Sequence, residues 1–234
     1  MIKTYKILSI LLNYPSEETL EILDDVAPEL VEEKLLDQKN IAEIAELVAY
    51  LKNNSLLFLQ ENYVGLFDRS RPLSLHLFEH VHGESRDRGQ AMVDLLALYE
   101  EKDFEIDAKE LPDFIPLFLE FLAINDAQSA AELLGEPIDI IAVIGARLQK
   151  KSSPYAAIFF ALEFLSAKKP RKVFLEKIVS KEVSNDELDK EWEERRVDFL
   201  AAADPAATSQ GSSCPTPPAQ KKSGCGSGGC GGCS

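Results

Sequence analysis

The chain has 234 residues, 45% of them hydrophobic, enough to bury one substantial core, and it carries a formal charge of −15 with a pI near 4.7. That charge excludes nucleic acid and anionic membrane as direct partners, since both would be repelled, and favours a basic partner. After residue 200 only Asp204, Lys221 and Lys222 are charged, so the tail's net +1 leaves −16 on the first 200 residues.

In chain order, the early apolar run Ile7 to Leu12 is too short for a secretory signal or membrane anchor, which predicts a cytoplasmic protein. Pro15-Ser16-Glu17-Glu18 opens a helix, and helical spacing recurs at Leu56, Leu59, Tyr63, Leu66 and Phe67, then at Met92, Leu95, Leu96 and Tyr99. Asp107 with Glu110 resembles a capping box, and Asp113 precedes a further helix. Phe114 to Ile124, Ile138 to Leu148 and Tyr155 to Leu165 are apolar almost all round, the signature of central bundle helices. Each is far shorter than the ~20 residues needed to cross a bilayer. Ser153-Pro154 and Ser184 with Glu187 start two more helices, and no convincing period-two strand is found. The expected architecture is all-α: a single-domain helical bundle over residues 1–200, followed by a disordered Gly/Ser/Pro/Cys-rich tail over 201–234.

Three constellations bear on chemistry. His76 to His80 fits H-x-x-E-H, in which two histidines one helical turn apart hold zinc beside a glutamate. A catalytic zinc needs a third protein ligand, and no downstream segment offers an obvious one, so a helix end with packed or capped histidines is the simpler reading. Cys214, Cys225, Cys230 and Cys233 all lie in the tail, which leaves the bundle without a thiol and makes them weak candidates for metal; no cofactor is assigned. Glu120 and Glu163 are lone carboxylates in apolar helices, expected to reach a partner such as Arg147 or to sit at a helix edge. Phosphate-binding loops, dinucleotide fingerprints and serine-nucleophile motifs are absent from the sequence, which points away from an enzyme.

The run Tyr63-Val64-Gly65-Leu66-Phe67-Asp68-Arg69-Ser70-Arg71, with Leu77 to Leu95 and Glu110-Leu111-Pro112-Asp113, resembles the NarJ-type assembly chaperones of membrane-bound respiratory nitrate reductase. The resemblance covers roughly residues 1–200, with Trp192 and Phe199 as its last landmarks, and leaves out the tail. The wider TorD-like superfamily of redox-enzyme maturation chaperones carries Y-x-x-L-F and E-x-P-D-H-like elements, which here look like Tyr63-Leu66-Phe67 and Glu110-Pro112-Asp113. Phe114 stands where the second element commonly has histidine, so that histidine's role is not carried over.

The resemblance implies a cytoplasmic, non-enzymatic chaperone. It would bind the apo catalytic subunit of respiratory nitrate reductase, including its N-terminal peptide, support molybdenum cofactor and iron-sulfur insertion, and delay membrane docking until loading is complete. Such a peptide asks for an apolar groove with an acidic rim. Tyr63, Leu66, Phe67 and Phe78 are expected to line or support that groove, while Glu79, His80, His82, Glu84, Arg86, Asp87, Arg88, Glu110 and Asp113 order its wall and rim. The alternatives are a sibling chaperone for another molybdoenzyme bearing a twin-arginine signal, and the H-x-x-E-H zinc peptidase.

Overall fold

The computed structural model describes residues 1–80, 86–106 and 110–171, with backbone alone for 86–88. All of these belong to the first of two units, Met1–Asp189. The expected boundary at 200/201, the predicted caps at Asp107 and Ser184, and the four cysteines lie outside the described residues.

Ten α-helices account for most of what is described: α1 Lys3–Leu12, α2 Glu17–Glu21, α3 Leu23–Glu33, α4 Gln38–Lys52, α5 Leu56–Tyr63, α6 Arg86–Glu100, α7 Ile115–Ile124, α8 Ala127–Leu134, α9 Ile138–Lys150 and α10 Ala156–Leu165. Among the described residues there is no β-strand, and no helix is long and apolar enough to cross a membrane. Local sequence starts several of the helices. Ser16, Asp37, Ser55 and Asp126 each accept a backbone N–H of the first turn through the side chain, at α2, α4, α5 and α8.

The three apolar segments become α7, α9 and α10, as their composition predicts. Ile115, Leu119, Phe121, Leu122, Ile141, Ile144, Ile158, Phe159 and Leu162 are fully buried among them. α1 packs along α7 and α10 along α9, while α4 closes on α10. In α1, Tyr5, Leu8, Leu11 and Leu12 form the buried stripe, and Ser9 Oγ donates to the Pro116 carbonyl at 2.8 Å. Helix α1 has no cap of its own. Glu33 at the end of α3 supplies one, accepting from the Lys3 and Thr4 N–H groups at 2.8 and 2.5 Å. Glu120 pairs with Lys6 at 2.9 Å rather than with Arg147, so it joins α7 to α1 at a partly exposed edge.

Gly145 lets α9 and α10 approach closely: a Cβ there would lie 2.9 Å from Phe159 Cβ. Alanine gains about 0.5–1 kcal/mol of helix propensity over glycine, but forcing apart packed helices costs roughly 1–3 kcal/mol. The clash therefore wins, and Gly145→Ala is expected to lower the urea midpoint. Gly65→Ala, whose Cβ would enter open space, is expected to leave it unchanged or raise it.

Candidate functional site

The site is built on the segment between α5 and α6. Helix α5 does not end at Tyr63 but widens into one π-turn, Val64–Asp68, closed by Arg69 N–H to the Val64 carbonyl at 3.0 Å. The turn keeps Tyr63 and Phe67 on the core side. Their rings sit 4.9 Å apart, Phe67 meets Tyr155 edge-on at 5.4 Å, and the Tyr63 hydroxyl donates to the Leu12 carbonyl at 3.0 Å. Burial pushes the Tyr63 and Tyr155 hydroxyls well above the ordinary tyrosine value, so both stay protonated and can act as donors.

A single 3-10 turn, Arg71–Leu73, follows, and Arg147 of α9 reaches up to donate to the Pro72 carbonyl at 2.6 Å. The chain then runs extended. Leu73, Leu75 and Leu77 point into the core, the period-two alternation of a short strand, and Ser74 and His76 fall between them. His76 forms an antiparallel bridge with Phe114, flanked by Leu77 N–H to the Asp113 carbonyl at 3.0 Å and Ile115 N–H to the Leu75 carbonyl at 2.8 Å. A second 3-10 turn, Leu77–Glu79, completes the segment.

Asp113 locks this arrangement. Its side chain is 0% exposed and accepts the Phe78 N–H at 3.1 Å through one oxygen, with His76 Nδ1 at 3.3 Å from the other. It precedes α7, as the sequence suggests, with Phe114 between it and Ile115, but its side chain caps the turn at residues 77–79 from across the chain. Helix α6 is tied to the same strand of chain by Tyr99, whose hydroxyl donates to the Pro112 carbonyl at 2.7 Å.

His76 and His80 do not share a helix face. His76 is extended and spends Nδ1 toward Asp113, while His80 Nε2 lies 2.8 Å from the Ser74 carbonyl, which fixes Nε2 as the donor. Four-residue spacing implies one face only in an α-helix, and the backbone here is an extended residue followed by a 3-10 turn. Among the described residues no group of three or more His, Cys, Asp and Glu side chains could hold a metal ion.

Two concavities flank the segment. One, of about 500 Å³, is polar and lined by Phe67, Asp68, Arg69, Arg71, Ser74, His76 and Glu79. The other, of about 380 Å³, is an apolar cleft lined by Leu77, Phe78, Leu95, Leu98, Phe118, Leu133, Pro137 and Ile140, with the exposed carboxylates of Asp94 and Glu136 beside them. The cleft exists because α6 is thinly packed. Tyr99 alone is buried among its described side chains, and Val93 is exposed while Leu95 and Leu98 are half-covered.

Of the predicted site residues, Phe78 lines the cleft and Glu79 the polar hollow. Tyr63 and Phe67 are core, Leu66 packs against the core partly buried, Asp113 is buried beneath the segment, and Glu110 is exposed on a bend. His82 and Glu84 lie outside the described residues, and Arg86, Asp87 and Arg88 fall in the first turn of α6 without described side chains. Leu98, Phe118, Leu133, Pro137 and Ile140 were not foreseen. The Met92/Leu95/Leu96/Tyr99 periodicity was the available signal, but a sequence shows periodicity and not what covers it.

A family model described as "Nitrate reductase delta subunit" matches residues 33–161. The chain is 39% identical to the nitrate reductase molybdenum cofactor assembly chaperone NarJ of Escherichia coli K12, over 83% of this chain and 84% of that protein. It is 38% identical to the probable nitrate reductase molybdenum cofactor assembly chaperone NarW of the same organism, over 83% of each. Among solved structures, a redox enzyme maturation protein of Archaeoglobus fulgidus superposes with a TM-score of 0.50 at 25% identity, covering 68% of this chain and 88% of that one.

Two outcomes follow from the geometry. Asp113→Ala removes the acceptor of the partly buried Phe78 N–H and is expected to cost about 1–3 kcal/mol in urea unfolding, with Asp113→Asn costing less. Burial holds the His80 imidazole below its ordinary value, and Arg147 and Arg71 push the same way against the Ser74 carbonyl and Glu79. The unfolded chain therefore takes up a proton near pH 6.5 that the folded chain refuses until lower pH. Stability should fall as pH drops below about 6.5, and His80→Gln should flatten part of that slope in urea titrations from pH 7 to 5.

Proposed function

The chain belongs to the nitrate reductase delta subunit family, and from that premise we propose that it is a molybdenum cofactor assembly chaperone which takes the apo catalytic subunit of nitrate reductase by its N-terminal peptide. Chaperoning of nitrate reductase cofactor assembly is the work named for its relatives NarJ and NarW. The finer reading is that the chain acts in the cytoplasm, catalyses no reaction itself, holds the client open for molybdenum cofactor and iron-sulfur insertion, and keeps it from the membrane until loaded.

One observation carries the peptide reading: the apolar cleft between the residue 77–79 turn, α6, α7 and α9, edged by Asp94 and Glu136 in a domain of strong negative charge. A helical peptide laid in such a groove buries its apolar face while basic residues on its flanks meet the carboxylates. Leu77, Phe78, Leu98 and Phe118 supply the apolar floor. Asp113 supports it by holding the Phe78 N–H, and Tyr63 and Phe67 are core residues at the start of the same segment. Distant acidic residues steer the encounter, and the cleft holds what arrives.

Calorimetric titration with a peptide spanning the N-terminus of the nitrate reductase catalytic subunit is expected to saturate at one site, and Leu98→Asp should abolish it without unfolding the chain. Association should slow steeply with added salt; a salt-insensitive on-rate would remove the steering role. Phe67→Ala, in the core, should instead cost stability of about 3–5 kcal/mol.

A further inference from the structure

The apolar cleft has a task under the proposed reading, whereas the polar hollow on the other side of the residue 77–79 turn has none. Arg69 and Arg71 both line that hollow. With 40 acidic residues against 25 basic ones, the chain offers its arginines no shortage of carboxylates. Arg171 takes one, Asp139 at 2.7 Å, and Arg147 donates to the Pro72 carbonyl. Arg69 and Arg71 form no ion pair with any described residue, although Asp68 and Glu79 line the same hollow. Two exposed guanidiniums stand beside two carboxylates without closing on them, so their N–H groups remain for a further acceptor.

Beneath them the backbone fixes two more donors. Ser74 is 6% exposed, and its Oγ accepts the His76 N–H at 3.3 Å, which leaves its hydroxyl hydrogen for the hollow it lines. His76 turns Nδ1 to the Asp113 carboxylate at 3.3 Å, and a carboxylate there makes Nδ1 the donor. The ring's other nitrogen, Nε2, is left for the hollow and bears a proton whenever the imidazole is charged. Phe67 closes the floor, buried against Tyr63 and Tyr155. The hollow of about 500 Å³ thus gathers two guanidinium forks, a hydroxyl and an imidazole around one space. Such forks match the oxygen edges of a phosphate two bonds at a time, with single donors filling the remaining lone pairs.

We propose that the hollow is a phosphate-binding site, with Arg69, Arg71, Ser74 and His76 holding the phosphate oxygens. A phosphate monoester carries about −1.5 to −2 charges at neutral pH, which the two guanidiniums balance. Asp68 and Glu79 add selectivity. They meet a free anion only as like charges, whereas they can accept from hydroxyl or amine groups on the organic part of an ester. The site therefore favours a small phosphate monoester rich in O–H or N–H donors over inorganic phosphate. It requires neither the client nor the cleft, and the failure of either reading leaves the other standing.

The test is calorimetric titration of the full chain with glycerol 3-phosphate and with inorganic phosphate, against sodium chloride of equal ionic strength. Glycerol 3-phosphate is expected to saturate one site, and the His76 imidazole resonances to shift with the same midpoint. Arg69→Gln and Arg71→Gln should each weaken binding about tenfold, the worth of one charge-assisted hydrogen-bonding partner, with urea midpoints unchanged because both side chains are exposed. Tighter binding of the ester assigns the site to phosphate monoesters, and equal binding assigns it to the free anion. Heats that sodium chloride reproduces, binding that survives the Arg69→Gln/Arg71→Gln double variant, or saturation without a His76 shift would overturn the site.

Discussion

The buried carboxylate of Asp113 is the interaction on which the site depends. A carboxylate at 0% exposure is costly unless its oxygens are engaged, and here one takes the Phe78 N–H while the other faces the His76 ring. That engagement fixes the 3-10 turn at residues 77–79, and the turn decides which side chain goes where. Leu77 and Phe78 face the apolar cleft, whereas His76 and Glu79 face the polar hollow. A bond between positions 35 residues apart thus sets the two-sidedness of the site. Glu33 does the same for α1, capping from the end of α3 a helix whose own N-terminus offers no side-chain acceptor.

The two sequence elements that carried the family resemblance meet across this segment. The first, around Tyr63 and Phe67, anchors its leading end through the π-turn and an aromatic contact with Tyr155. The second, around Pro112 and Asp113, anchors its far end and also receives Tyr99 of α6. Both act from below the surface. Residues that mark a family can act as supports, holding in place the less distinctive residues at the surface.

Much of the fold was legible because burial on every side has only one compositional solution. α7, α9 and α10 had to be apolar all round, and Ser16 announced its helix by the side-chain acceptor that the first turn needs. The site was less legible for a physical reason. His76 and His80 have helical spacing, but Leu73, Leu75 and Leu77 have period two, and in so short a stretch the two patterns overlap without either dominating. Tertiary hydrogen bonds to residues 113–115 decided between them. Asp113 stands ahead of α7 as read, but nothing local says that the N–H it serves belongs to Phe78.

Helix α6 shows why the cleft is where it is. A fully packed α6 would bury Leu95 and Leu98 and stabilise the bundle, yet it would also erase the apolar cleft. The structure divides the helix instead. Tyr99 is buried at its C-terminal end, in an aromatic cluster with Phe104 and Phe121, while the turns before it stay half-covered. One firmly held end and one lightly packed face let α6 adjust to what lies against it at low cost, since elements that move on binding come from the least stable part of a structure. Glu136 and Pro137, just ahead of α9, line the opposite wall. Under the proposed reading, a peptide laid between α6 and the opposite wall would bury its apolar face against side chains already half-covered, without a rebuilt core.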